Sequence, residues 1–349
     1  MWTAAQRTLP RPDPWISHLS FPTKFTTAIA VDTWDAHFRW RDGGDLRDRT
    51  IDATWRRVAS AVAAVEGAAA GQWEQRYVEA FQGWRIVPDA RLLKWAGTGT
   101  FGSTLDHPRA TLNLGTFIVQ AQASEPCFDY DAFSAMAALA VRFLDDACLA
   151  YSDKRAASGL CVGIMGFADV LASLGYAYTS ESACEFATLL GQALAAACRE
   201  SSLQLLRERG PCRLQTGTGE PEAAPGSGQD HRSMLRHPRT TAIQSQRLVA
   251  LFANNASDAL DPLSAAAFDL ASRWGLPMQA DPVDTKQMLL QQIRLRGRMQ
   301  PWIDAPIDYP LVHRDDRLDP EIVLACRRLA ELEHLPEPRF RRSRQTILG

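Results

Sequence analysis

Residues 128–151 and about 182–209 read as two long helices, and this pair constrains the fold more than any other feature. On the first, Phe133, Ala137, Ala140, Phe143 and Ala147 recur at spacings of three and four, which places them on one face. Ser182 and Glu185 suggest a capping box for the second, and Gly210 with Pro211 stops it. Between the two lies a short apolar run, Leu160 to Ile164, flanked by glycine. Helices this long must bury an apolar face against another layer, so the chain is expected to build a helical core.

Other segments follow suit. Thr50 can cap a helix with Ile51, Trp55, Val58, Val62 and Val65 on one face, ended by Gly67. Further helices are expected over 70–83, Arg247–Asn255, Leu263–Trp274, 284–299 and 320–334. Pro88 opens an irregular stretch, and L-N-L-G-T-F-I-V (112–119) reads as a short buried strand. No repeat of 20–50 residues is visible. The expected class is mainly α of the α+β kind, a helical scaffold with a few short strands. Residues 1–30, rich in proline and aromatics, read as an extended arm, and 31–349 as a single domain. Within it, the Gly-, Pro- and Ser-rich segment 213–235 reads as a mobile surface loop.

Composition excludes several classes. The net charge is −2, whereas a nucleic-acid-binding domain usually carries a strong basic excess. The arginines at 339, 341, 342 and 344 read as a solvated tail. No apolar signal core opens the chain and no run of about 18 apolar residues occurs, so neither secretion nor membrane insertion is expected. The seven cysteines, at 127, 148, 161, 184, 198, 212 and 326, form no C-x-x-C pair. Such a dispersed set reads as small buried thiols of a cytoplasmic protein.

Several constellations carry possible chemistry. Gly97, Gly99 and Gly102 match G-x-G-x-x-G, but no strong strand precedes them and no amphipathic helix follows, so dinucleotide binding is not expected. His231 and His237 match no common metal-ligand spacing, and no metal is expected. Asp106 and His107 could form an acid/base pair. His313, Asp315 and Asp316 read as a charged turn. Asp145 and Asp146 sit within an apolar helix and read as structural, while Trp34, Trp40, Trp55, Trp73, Trp84 and Trp95 read as core.

One segment carries a resemblance. S-G-L-C-V-G-I-M-G-F-A-D-V-L-A-S-L-G-Y-A-Y-T-S-E-S-A (158–183) is similar to a glycine-rich stretch of the ribonucleotide reductase large chain. Collinear matches accompany it: V-P-D-A-R-L-L-K-W-A-G-T-G (87–99), L-N-L-G-T-F (112–117), A-V-R-F-L-D-D (140–146), R-E-R-G-P (207–211), residues 291–310 and F-R-R-S-R-Q-T-I-L (340–348). Together with residues 31–40 and 50–66, they resemble the adenosylcobalamin-dependent class II branch over about 31–348. The resemblance implies a remnant of that family's α/β barrel, and adenosylcobalamin as the family cofactor.

The same resemblance exposes losses. The family segment N-P-C-G-E, which holds the radical-bearing cysteine, falls opposite G-T-F-G-S (99–103). Gly99 then stands for the asparagine, Phe101 for the cysteine and Ser103 for the glutamate, and Leu112 stands for the cysteine before N-L-G. A phenyl ring cannot carry a thiyl radical, and residues 1–126 contain no cysteine. Several barrel strands are missing between A-G-T and this segment, along with the effector-binding, dimer-forming region. The family's phosphate loop falls on Q-S-Q-R-L-V (244–249), without glycine or proline, where Ser245 and Arg247 could still bind an anion. The expected protein is a reductase-like scaffold without radical ribonucleotide reduction, acting by binding a partner or a small ligand. A homo-oligomer or a protein partner would cover exposed barrel edges. The alternative is an enzyme that reuses the remnant pocket, with Ser103, Asp106, His107, Asn113, Ser245 and Arg247 as candidates.

Overall fold

A computed structural model of the chain describes residues 23–99, 105–120, 125–152, 159–212, 235–262 and 284–342. It is a helix-rich α+β fold. Helix α1 (Ala28–His37) leads to a two-residue hairpin, β1 (Arg41–Asp42) and β2 (Asp45–Leu46). Helices α2 (Ile51–Ala63) and α3 (Ala70–Gln82) follow, joined by a tight 3-10 turn. Thr50 caps α2 as expected, its hydroxyl accepting from the Ala53 N–H at 3.2 Å. Next come β3 (Ile86–Pro88), α4 (Ala90–Trp95), β4 (Arg109–Asn113), β5 (Ile118–Val119) and β6 (Cys127–Phe128). Then α5 (Tyr130–Tyr151), β7 (Cys161–Met165), α6 (Phe167–Ser173), α7 (Glu181–Arg209) and α8 (Arg247–Phe252) complete the main body. The last part holds α9 (Thr285–Met299), β8 (Leu311–His313), α10 (Pro320–Leu332) and β9 (Phe340–Arg342).

Helix α5 packs along α7, and α2 packs on α3 and α5. The inward face of α5 carries the predicted Phe133, Ala137, Ala140, Phe143 and Ala147, all fully buried. Trp55 is the aromatic centre of the N-terminal part, with ring centroids 5.5 Å from Phe81, 5.5 Å from Trp84 and 5.4 Å from Phe252. Trp34, Trp55 and Trp84 are core as expected, whereas Trp95 is exposed. A smaller second cluster, Leu289, Ile293, Leu311, Cys326 and Ala330, joins α9, β8 and α10.

The largest sheet orders its strands β3–β4–β7, with β3 antiparallel and β7 parallel to β4. A parallel bridge from Val162 to Thr241 adds one more rung. Gly163 permits this approach, because a Cβ there would stand 2.8 Å from the Ala242 carbonyl oxygen. Among the described residues no barrel closes.

Several boundaries differ from expectation. The N-terminal helix begins at Ala28, inside the predicted arm. The irregular stretch after Pro88 contains α4, because Asp89 accepts from the Arg91 and Leu92 N–H groups and so caps a helix. The strand predicted over 112–119 starts at Arg109, where register with Cys161 begins, and ends at Asn113. The chain then enters a 3-10 turn, in which Thr116 Oγ1 donates to the Asn113 carbonyl at 2.7 Å. Ser180, not Ser182, caps α7; it has extended backbone and accepts from the Ala183 N–H at 3.2 Å. Four cysteines are buried as expected, but Cys127 is exposed. Residues 213–234 and the helix expected at Leu263–Trp274 lie outside the described residues.

Candidate functional site

Parallel pairing fixes which residues can meet. In register, Asn113 lies beside Met165, so the C-terminal ends of β4 and β7 share one edge of the sheet. The segment after Thr241 runs out to the same edge. Side chains there converge from four segments. Gln246 Nε2 donates to Thr111 Oγ1 at 2.8 Å, tying the last segment back to β4. The Asp258 carboxylate accepts from the Ser245 hydroxyl at 2.5 Å and from the Gln246 backbone N–H at 2.7 Å. Asp169 accepts from the Ser257 N–H at 2.7 Å. Burial pushes the Asp169 carboxyl above the ordinary range, opposed by that N–H bond. Gly166, at φ 81, turns the chain out of β7, and a Cβ there would come within 3.1 Å of Asn113 Oδ1.

The predicted residues divide between two ends of the sheet. Asn113 and Ser245 lie at the C-terminal edge, and Arg247 follows as the first, exposed residue of α8. Asp106 and His107 are exposed and precede β4, so they lie roughly 20 Å from Asn113 at about 3.3 Å per strand residue. The His107 carbonyl accepts from Arg91 at 3.1 Å. Leu112 is fully buried within β4, paired with Ile86 and Ile164. Gly99 turns at φ 77 in open space. Phe101 and Ser103 lie outside the described residues, as does His231. Asp316 pairs with Arg342, consistent with a charged turn, whereas His313 belongs to β8.

Gly97 has a specific job. At φ 74 it lies against α2, where a Cβ would meet the Arg57 carbonyl oxygen at 2.9 Å. Gly97→Ala is therefore expected to cost roughly 1–3 kcal/mol in urea unfolding, from left-handed strain plus the contact. Gly99→Ala, with open space around it, should cost less; equal losses would remove the packing argument.

A second constellation is built on α5. Asp145 and Asp146 are fully buried on α5. His237 Nε2 and Arg236 Nε each lie 2.7 Å from Asp145 Oδ1. Arg209 reaches Asp145 and donates to Asp146 at 2.7 Å. Tyr77 donates its hydroxyl to Asp146 at 2.5 Å, and Glu66 holds both Arg142, at 2.8 Å, and Arg209, at 2.5 Å. Burial pushes Asp145 upward, but the bonds from His237 and Arg236 outweigh it and hold the carboxyl at about 2. For Asp146, burial outweighs Tyr77 and Arg209 and raises it. Ion pairs and hydrogen bonds in this cluster tie α3, the turn at Glu66, α5, α7 and the 236–237 segment together. Sequence reasoning missed Arg236 and His237 as its partners, yet one signal was present: two adjacent carboxylates on an apolar helix require cations.

Among the described residues no group of three or more His, Cys, Asp or Glu side chains could hold a metal. No described helix is long and apolar enough to cross a membrane. Residues 108–239 match the sequence profile of the ribonucleotide reductase barrel domain. Over 172 residues, 47% of the chain, the sequence is 28% identical to a vitamin B12-dependent ribonucleoside-diphosphate reductase of Mycobacterium tuberculosis (strain CDC 1551 / Oshkosh). The same protein in strain ATCC 25618 / H37Rv matches equally. The matched segment spans 23% of the length of these relatives. The matched profile contains β4, α5, β7, α6 and α7 and ends just before Thr240.

Proposed function

Because this chain is a relative of the ribonucleotide reductase large chain, of the class II kind, we propose that it performs no radical ribonucleotide reduction of its own and acts by binding a partner or a small ligand. The observation that carries this reading is the absence of any cysteine from residues 1–126, with Phe101 opposite the radical-bearing position. The thiyl step needs an S–H bond beside the substrate, and no aromatic or aliphatic side chain supplies one. Cys161 cannot serve at the C-terminal edge, because it begins β7 at the other end of the strand.

The relatives are B12-dependent by name, and adenosylcobalamin would be the cofactor implied for the lineage. The described edge residues do not fit that role. The carboxylates of Asp169 and Asp258 are already held by Ser257, Ser245 and Gln246, and no cysteine stands among them. The sheet supports a remnant of the family barrel, whose open edges a homo-oligomer or a protein partner would cover.

Purified protein, supplied with adenosylcobalamin, a dithiol and ribonucleoside di- or triphosphates, should yield no deoxyribonucleotide above a protein-free control. Product formation would overturn the proposal. Thermal unfolding with nucleotides or cobalamin separates the ligand-binding branch, since a ligand selective for the native state raises the melting temperature. The alternative, an enzyme with new chemistry, draws support from Asn113 and Ser245 sharing one edge with Asp169. Asp106 and His107, at the other end, cannot join them.

A further inference from the structure

Asp261 stands where the two hydrophobic clusters meet. Its neighbours Ala259 and Leu260 belong to the main core. Its ionic partners lie on two elements: Arg341 of β9 donates to Oδ2 at 3.0 Å, and Arg296 of α9, a helix shared with the main core, approaches Oδ1 only to 4.0 Å. Arg296 is committed elsewhere, to the Tyr309 carbonyl at 2.5 Å and the Pro310 carbonyl at 3.3 Å, with its guanidinium 3.8 Å from the Tyr309 ring centroid. Among the described residues, Asp261 Oδ1 and Arg296 Nε are both buried without a hydrogen-bond partner. A second carboxylate, Asp258, is one turn away, and the Asp261 N–H donates to its carbonyl at 2.8 Å. The remaining groups that face Asp261 electrostatically are Arg247, Tyr178 and Tyr309.

We propose that Asp261 is a proton-operated latch between the main core and the unit formed by α10, β8 and β9: the protonated carboxyl favours the closed arrangement, and the ionised one favours loosening. An ion pair would ordinarily suggest the reverse. Here the charge is under-compensated, because one oxygen has no donor among the described residues and Asp258 adds repulsion, so ionisation is costly only while the site stays closed. The carboxyl is pushed up to about 7, first by burial and then by Asp258, against Arg296, Arg341 and Arg247. In an opened unit it would return to the ordinary 3.8. Proton binding therefore favours closure, fully below the open-state value, and this advantage is lost as pH rises from about 4 to about 7. Above that window the unit stays in its loosened regime.

The test is amide hydrogen exchange of the β9 and α10 backbone in the full chain between pH 5 and pH 8, corrected for the intrinsic rate. The wild type should show its opening equilibrium rising by up to roughly tenfold per pH unit within the window. Asp261→Asn should abolish the dependence and keep the protection at pH 8. Asp258→Asn, which removes the repelling charge, should move the midpoint to lower pH, and it serves if the first variant does not fold. A flat wild-type profile, an unchanged slope in Asp261→Asn or an unmoved midpoint in Asp258→Asn would each overturn the latch.

Discussion

Asp145→Ala is expected to lower global stability by roughly 3–5 kcal/mol, enough to unfold a marginal domain at room temperature. The reason is asymmetry. The carboxylate faces Arg209, Arg236 and His237, and its own side chain is 1% exposed. Removing it leaves cationic side chains buried without their anion, which costs more than the pair ever contributed. Replacing the exposed Asp35, paired with Arg39 and Arg41 at the surface, should cost less than about 1 kcal/mol. Urea unfolding of both variants checks the contrast, and similar losses would show that burial does not govern the cluster. An acid profile adds a second readout. Asp145 is held at about 2 against an ordinary 3.8, so its contribution is complete above that ordinary value and is lost as pH falls towards 2. That contribution is about 2 kcal/mol, and the gap between wild type and variant should shrink by that amount in acid.

Arg57→Met should be nearly as damaging, again by roughly 3–5 kcal/mol. Arg57 and Asp48 are 7% and 3% exposed and meet at 2.8 Å. The same guanidinium donates to the Ala96 carbonyl at 2.5 Å and the Leu93 carbonyl at 2.9 Å, pinning the end of α4 to α2. Methionine preserves the apolar stem but strands a buried carboxylate that keeps, among the described residues, only the Thr54 hydroxyl, at 2.8 Å, and the Trp40 N–H, at 3.3 Å. Adding Asp48→Asn should recover part of the loss, because the stranded charge is gone. A double variant as unstable as the sum of the singles would contradict a coupled pair. Far-ultraviolet dichroism with urea titration measures all three.

Much of the scaffold was legible because its signals are local. Thr50 caps α2 through its own hydroxyl, Gly210 ends α7 at φ 74, and the α5 face repeats every three or four residues. Each depends on contacts within one turn of chain, so a single sequence reveals it. The errors were also physical. Ser182 satisfied the capping pattern, but Ser180 took the role because its own backbone is extended at the helix start, which residue types alone do not encode. The strand at 109–113 was misplaced because its ends depend on register with Cys161, about fifty residues away.

The candidate site divides along the same line. That residues 1–126 contain no cysteine is a matter of residue type and can be read without coordinates, and the proposal that Phe101 stands opposite a radical-bearing position starts from it. The similarity of residues 108–239 to the ribonucleotide reductase barrel domain was likewise carried by collinear motifs. Only the tertiary structure decided which polar groups satisfy one another: Asp258 on Ser245 and Gln246, His237 and Arg236 on Asp145, and Asp261 left half-paired between two cores. Those pairings span separations from 12 to 92 residues. Sequence determined the helices and the lack of cysteine in residues 1–126 because both follow from local geometry and atom type. Burial and charge compensation depend on what distant segments bring to the same point, and that is settled only when the chain packs.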